Sequence, residues 1–322
     1  MDIHKIREDF QLLKHGSIYF DNAATSLTPN SVVAATNEYY FSYKANIERG
    51  AHRLTQKASQ AYHEAHHKVA QFVKALPQEI IFCRNATEAI NMIASGLPWQ
   101  AGDTIVTTLL EHHSNYLPWL RLKRQYNVKV EVVRPDAEGN FNLKDFEEAI
   151  DPRTVLVALV HVSNVLGSIT PVREIAEIAH KKGAWLLVDA AQSAPHLPID
   201  VKELDCDFLA ASGHKMLGPT GIGFLYIKNE LTELIDPLCL GGGTIADVWL
   251  EDYQLTEPWE KFEAGTPNIA GGIGLGAAVD YLHHIGWDWI QKYEQKIIEN
   301  LTEGLRKRNQ VIIYGPRESS PR

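Results

Sequence analysis

Cysteine is scarce in this sequence: Cys83, Cys206 and Cys239 are the only three in 322 residues, and no two of them form a CxxC pair. That spacing speaks against a disulfide framework and against a cysteine-based zinc site, and it suits a reducing compartment. Basic excess is also missing. The 31 Lys and Arg residues against 40 Asp and Glu leave a formal charge of -9, which argues against a general binder of nucleic acid or anionic membranes. No apolar run approaches the roughly 18 to 20 residues needed to cross a bilayer. The opening MDIHKIREDF lacks the basic start and apolar core of a signal peptide. A cytoplasmic protein is expected. There is no internal repeat, low-complexity tract or long linker, so domain organisation has to be inferred from the order of elements.

With 45% hydrophobic and 22% charged residues, the chain has the composition of an ordinary globular protein, long enough for one large domain and a smaller one. Its middle alternates regularly. Helical patterns over 86–97, 118–127, 143–150 and 172–183 are each followed by a strand-like run, at 103–110, 128–134, 154–163 and 184–191. DFLAAS (207–212) is a further strand. These runs are apolar on both faces, which predicts an α/β fold with a mostly parallel central sheet and helices on both faces. Beyond about residue 228 the pattern turns glycine-rich, then helical over GIGLGAAVDYLHHIG and WDWIQKYEQKIIENLTEGLRKR, and closes on VIIYGPRESSPR, read as a strand and a turn.

Ligands of such sheets bind outside the carboxyl ends of the strands, so the polar residues just after each strand matter most. They are Glu111, His112 and His113, then Ser163 and Asn164, then Asp189 and Gln192, then Ser212, His214 and Lys215. A lysine can form a Schiff base with a carbonyl, and the cofactor that most often uses one is pyridoxal phosphate, which also needs an acid near its ring nitrogen. Asp189 precedes Lys215 by 26 residues (215 minus 189), about one βαβ-like excursion. Ser212 and His214 could donate to a phosphate. Asn85-Ala86-Thr87 opens a helix whose free N–H groups favour an anion, and His112 could stack on a flat ring.

The stretches YFDNAATSLTP, RGAHRLT, NATEAINMIA, EHHSNYLPW, HVSNVLGSITPV, LLVDAAQSAPHLPIDV, DFLAASGHKMLGPTGIGFLY and FEAGTPNIAGG together resemble class V aminotransferase-fold enzymes, most closely SufS-type cysteine desulfurases, with selenocysteine lyase as a sister activity. The resemblance implies the PLP-dependent transferase type I fold and pyridoxal 5'-phosphate as cofactor. It makes Lys215 the Schiff-base lysine and Asp189 the partner of the ring nitrogen. Gln192 becomes a donor to the ring oxygen, and His112 the stacking imidazole and proton relay. Thr87, Ser212 and His214 would hold the phosphate, with Glu88 beside them among the cofactor-binding positions. Thr266 would reach the phosphate of a neighbouring subunit, which implies a homodimer. Asn164 would lie beside the substrate amino group, and Ala23, Ala24 and His52 would line the substrate side.

The implied reaction takes L-cysteine to L-alanine and passes the sulfur to a protein thiolate, for iron-sulfur cluster assembly or other sulfur biosynthesis, with a sulfur-acceptor protein as a further partner. In the family's pattern an arginine for the substrate carboxylate and the nucleophilic cysteine come from an RxGHHC-like segment of a C-terminal small domain. No such segment occurs up to Arg322. The expected domains are therefore a helical segment 1–15, a large cofactor-binding domain 16–282 and the start of an incomplete α+β small domain at 283–322. All three cysteines are read as buried and structural. Other readings are another class V enzyme acting on a small amino acid, and a catalytically dead scaffold. A zinc hydrolase built on HEAHH (63–67) is a further one, disfavoured because no third ligand follows. GGIGLG (271–276) follows no strand, so close helix packing explains it better than dinucleotide binding.

Overall fold

The computed structural model describes residues 1–316 apart from Arg49 and Glu257. Arg49 of the RGAHRLT stretch and residues 317–322 of the closing segment lie outside the described residues. The strands are β1 (Ile80–Cys83), β2 (Thr104–Thr108), β3 (Lys129–Val133), β4 (Thr154–Val160), β5 (Trp185–Asp189), β6 (Phe208–Ser212), β7 (Gly223–Ile227), β8 (Ile245–Val248) and β9 (Tyr253–Leu255). The α-helices are α1 (Ile3–Glu8), α2 (Asn30–Glu38), α3 (Arg53–Phe72), α4 (Ala86–Gly96), α5 (Leu117–Tyr126), α6 (Leu143–Ala149), α7 (Val172–Lys181), α8 (Val201–Leu204), α9 (Ile269–Ile285) and α10 (Trp287–Arg306).

Seven strands form one sheet in the order β1-β7-β6-β5-β4-β2-β3. The pairs from β6 to β3 are parallel, and β7 runs antiparallel to both its neighbours. Strand side chains alternate between two faces, and both faces here are apolar. Val157 and Leu159 of β4 enter one core with Tyr62 of α3 and Ile175 of α7. Leu156 and Ala158 enter the other, with Ile90 of α4 and Trp119 of α5. A sheet buried on both sides needs continuous apolar strands, so the alternation read from the sequence gives the doubly covered sheet.

Three local features differ from the sequence reading. The VIIYG segment forms no strand. Ile312 and Tyr314 are exposed, and without a partner strand among the described residues an apolar run has no ladder to join. A two-stranded hairpin, β8 paired antiparallel with β9, lies between the glycine-rich stretches, where the sequence reading places no element, its strands being only four and three residues long. Cys239 is exposed, unlike the buried Cys83 and Cys206, because its glycine-rich loop supplies no apolar cover. Among the described residues, no helix is long and apolar enough to cross a membrane.

Candidate active site

Lys215 ends a single 3-10 turn, Gly213–Lys215, that starts where β6 stops. Asp189 is the last residue of the adjacent β5 and is 3% exposed. Both face one cavity of about 510 Å³ at the carboxyl ends of the parallel strands. Burial lowers the pKa of the Lys215 amine, opposed by the attraction of Asp189. Burial raises the pKa of Asp189, opposed by the Ala191 N–H at 3.0 Å and by the nearby Lys215 and His112. Asp189 makes no ion pair among the described residues, so its carboxylate is a buried acid open to a cationic partner.

His112 lies just beyond β2, on the turn into Ser114. Its Nδ1 accepts the Ser114 N–H at 3.2 Å and stands 3.0 Å from Ser114 Oγ. An amide can only donate, so the neutral imidazole carries its proton on Nε2. Burial and the neighbouring Lys215 keep this ring's pKa below the usual histidine value. Ser114 Oγ is also 2.6 Å from Thr87 Oγ1, which ties the His112 turn to the first turn of α4.

That helix start is brought to the strand ends by β7 and β6. Asn85 caps α4 by accepting the Glu88 N–H at 3.1 Å, and Ser212 Oγ accepts the Ala86 N–H at 2.9 Å. Gly223 of β7 makes the approach possible, since a Cβ there would lie 2.8 Å from Asn85 Cα. Below His112, Glu111 bridges β2 and β4. Oε1 accepts Thr108 Oγ1–H at 2.7 Å and the Val160 N–H at 2.9 Å, and Oε2 accepts from Asn115 Nδ2 at 2.6 Å. Burial pushes its pKa up to about 8.

Thr87, His112, Asn164, Asp189, Gln192, Ser212, His214 and Lys215 all line this cavity, with Ala23 and Ala24 opposite. Two of them are engaged by the N-terminal segment. Gln192 Nε2 donates to the Ala23 carbonyl at 2.8 Å, and His214 Nδ1 is 3.2 Å from Thr25 Oγ1. Two sequence candidates stand elsewhere, and Thr266, expected to serve a neighbouring subunit, lies apart from its own chain's cavity. Glu88 turns its carboxylate to the Arg84 side chain at 2.9 Å and lines a different cavity. An acid on the first turn of a helix is drawn to the nearby guanidinium one turn back, as an i,i+4 pair. His52 caps α3, its Nδ1 accepting the Thr55 N–H at 3.4 Å, and does not line the cavity. Thr266 lines a separate cavity with Gly243 and Glu48.

Sequence reasoning left out Asp21 and Ser114, which also line the site, although both lie in the quoted stretches YFDNAATS and EHHSN. Their hydroxyl and carboxyl groups carry no spacing signal of their own. The HEAHH stretch is used otherwise. His63 pairs with Glu48 at 3.3 Å and Glu64 with Lys68 at 3.2 Å. No group of three or more His, Cys, Asp or Glu is arranged to hold a metal among the described residues.

A free amine, a buried unpaired acid, an imidazole with a defined tautomer and a capped helix start make a donor set that suits a planar phosphorylated aldehyde with a basic ring nitrogen. Comparison with known proteins agrees. The aminotransferase class-V family matches residues 18–322. A probable cysteine desulfurase of Pyrococcus abyssi is 50% identical over 315 residues, covering 97% of this chain and 78% of that relative. The apo structure of a cysteine desulfurase from Thermococcus onnurineus NA1 superposes with a TM-score of 0.95 at 49% identity, covering 99% of this chain and 80% of that one. A C-DES variant with glycine covalently linked to its PLP cofactor superposes at 0.84 with 25% identity, covering 94% and 80%. By sequence and by fold, the chain belongs to the aminotransferase class-V family.

Proposed function

We propose that the cavity holds pyridoxal 5'-phosphate and that the protein works on L-cysteine as a desulfurase, releasing L-alanine. It is a PLP-dependent enzyme of the cysteine desulfurase kind. When bound, the cofactor supplies an electron sink that acidifies the Cα–H of the substrate amino acid. Lys215 is the amine that holds it and moves the α-proton, its lowered pKa favouring the neutral, nucleophilic form. Asp189 keeps a negative charge toward the ring nitrogen. His112 covers a ring face and offers its Nε2 proton. Thr87, Ser212 and His214 hold the phosphate, while Asn164 and Gln192 supply polar contacts at the ring oxygen. Ala23 and Ala24 leave room for a small side chain.

The sulfur step transfers the substrate sulfur to a thiol: the C–S bond breaks, an S–S bond forms to give a persulfide, and the carbon takes up a proton as alanine. No cysteine or arginine is among the described residues lining the cavity, so the accepting thiol and a cation for the substrate carboxylate come to it from outside this lining. The proposal includes a homodimer in which Thr266, which lines a separate cavity of its own chain, serves the neighbouring site. A sulfur-acceptor protein and a cytoplasmic location complete the proposal, the latter on the three unpaired cysteines.

The observation that carries this reading is the convergence of Lys215 and Asp189, from adjacent strand ends, on one cavity. The test is the visible absorbance of the protein reconstituted with pyridoxal phosphate, together with alanine formed from cysteine in the presence of an added thiol. The band is expected in the wild type and absent in Lys215→Ala. A protein that stays colourless on reconstitution overturns the proposal.

A further inference from the structure

The turn that carries Lys215 is held from the far end of the chain. Its own hydrogen bonds take up two amides: Met216 N–H and Gly218 N–H both donate to the Gly213 carbonyl, at 3.0 and 2.9 Å. Between them stands Leu217, whose φ of +66° lies in the left-handed region, a conformation that costs a non-glycine residue energy and persists only where its surroundings impose it. The Leu217 N–H donates to Ser26 Oγ at 2.8 Å. The same hydroxyl donates to the His214 carbonyl at 3.0 Å, and the Ser26 N–H donates to that carbonyl at 2.8 Å. One residue therefore grips the backbone on both sides of Lys215, at 214 and at 217.

We propose that Ser26 is a positioning residue for Lys215, its hydroxyl and amide together spanning the 214–217 turn and setting where the lysine amine enters the cavity. The hydroxyl is matched to the task because it donates and accepts at once; an acceptor alone satisfies Leu217 and a donor alone satisfies His214. Thr25 Oγ1 adds a weaker contact to the same carbonyl at 3.2 Å. The segment that supplies Ser26 also supplies the Ala23–Ala24 wall of the cavity, so one clamp sets the wall and the amine relative to each other. No other residue bridges these two points of the turn among the described hydrogen bonds. The significance of the clamp for catalysis rests on the function proposed above; the placement of the amine does not.

Two measurements separate the two ideas. In cofactor-free protein, the pH-dependent labelling rate of Lys215 by trinitrobenzenesulfonate, followed by mass spectrometry with exposed Lys123 as the control, is expected to change at least threefold in Ser26→Ala and to return in Ser26→Thr. In reconstituted protein, Ser26→Ala is expected to raise the dissociation constant for pyridoxal phosphate about tenfold, near 1.4 kcal/mol, and to shift the absorbance band. Leu217→Gly, which adopts the left-handed backbone freely, is expected to recover part of that loss in the double variant. If Ser26→Ala fails to fold, Ser26→Cys keeps the volume with a weaker hydrogen-bonding group and is measured in its place. Unchanged Lys215 labelling alongside a lowered melting temperature overturns the proposal, whether or not the wild type takes up the cofactor.

Discussion

Glu111 and Val160 join neighbouring strands through a side chain: the Glu111 carboxyl group, on the turn that follows β2, accepts the backbone N–H that closes β4, at 2.9 Å. The same group holds Thr108 and Asn115, and so anchors the turn on which His112 and Ser114 stand. Removing it in Glu111→Ala leaves a strand-end N–H without its acceptor, and a loss of about 2 kcal/mol is expected from such a deletion, read as a lower denaturation midpoint. Glu111→Gln is tolerated, because Asn115 can rotate its amide to present oxygen to the new NH2.

The same residue gives a pH dependence of known sign. Its folded pKa of about 8 is raised above the ordinary carboxylate value, so the folded protein binds this proton more tightly than the unfolded chain does. Its contribution to stability is full below the unfolded value and falls away as pH rises toward 8. Thermal melts from pH 5 to 8.5 are expected to show wild type losing stability relative to Glu111→Gln across that window. Parallel curves would refute the assignment.

Ser114 connects Thr87 to His112. In Ser114→Ala the imidazole loses its hydroxyl partner while the backbone N–H still holds Nδ1. The tautomer persists but the ring gains freedom. Cofactor affinity is expected to fall several-fold and turnover about tenfold, roughly 1.4 kcal/mol in the barrier, measured by absorbance titration and by alanine release.

Asp189→Asn keeps the side-chain shape and the acceptor for the Ala191 N–H but removes the charge that favours the protonated Lys215. Reconstituted protein is expected to remain folded and coloured. Turnover is expected to fall at least a hundredfold, about 2.7 kcal/mol, because an uncharged amide cannot hold a proton on the ring nitrogen. Full activity in this variant would remove Asp189 from the mechanism.

Gly272 lies on α9 where it meets α3. A Cβ at this position would sit 2.8 Å from Tyr62 Cε2 and 3.0 Å from Phe82 Cε2. Alanine is the better helix former by about 1 kcal/mol, yet overpacking costs about 1 to 3 kcal/mol. Gly272→Ala is therefore expected to be less stable, by calorimetry, and to disturb the 2.7 Å bond from Tyr62 Oη to Glu263. This packing accounts for the GGIGLG stretch without a nucleotide.

Periodicity made the sheet readable in advance: apolar runs such as those of β4 and β5 have one stable use, between two helical layers, and the polar residues after them then fall at one end. Lys215, Asp189, His112 and Ser212 follow from that rule because strand ends are local features of the chain. Glu88 and His52 do not line the cavity, because each side chain is taken by a partner within one turn of its own helix start, the Arg84 guanidinium and the Thr55 N–H, and spacing alone does not say which of two nearby partners a side chain takes. The exposure of Cys239 and the missing strand at VIIYG were equally invisible, because burial and pairing belong to partners and not to the residues themselves. The order in which β7 inserts between β1 and β6, and the reach of Ser26 across 191 positions to Leu217, were decided only on folding. Sequence spacing encodes periodicity along one element, whereas hydrogen bonds between remote segments depend on how the whole sheet brings them together.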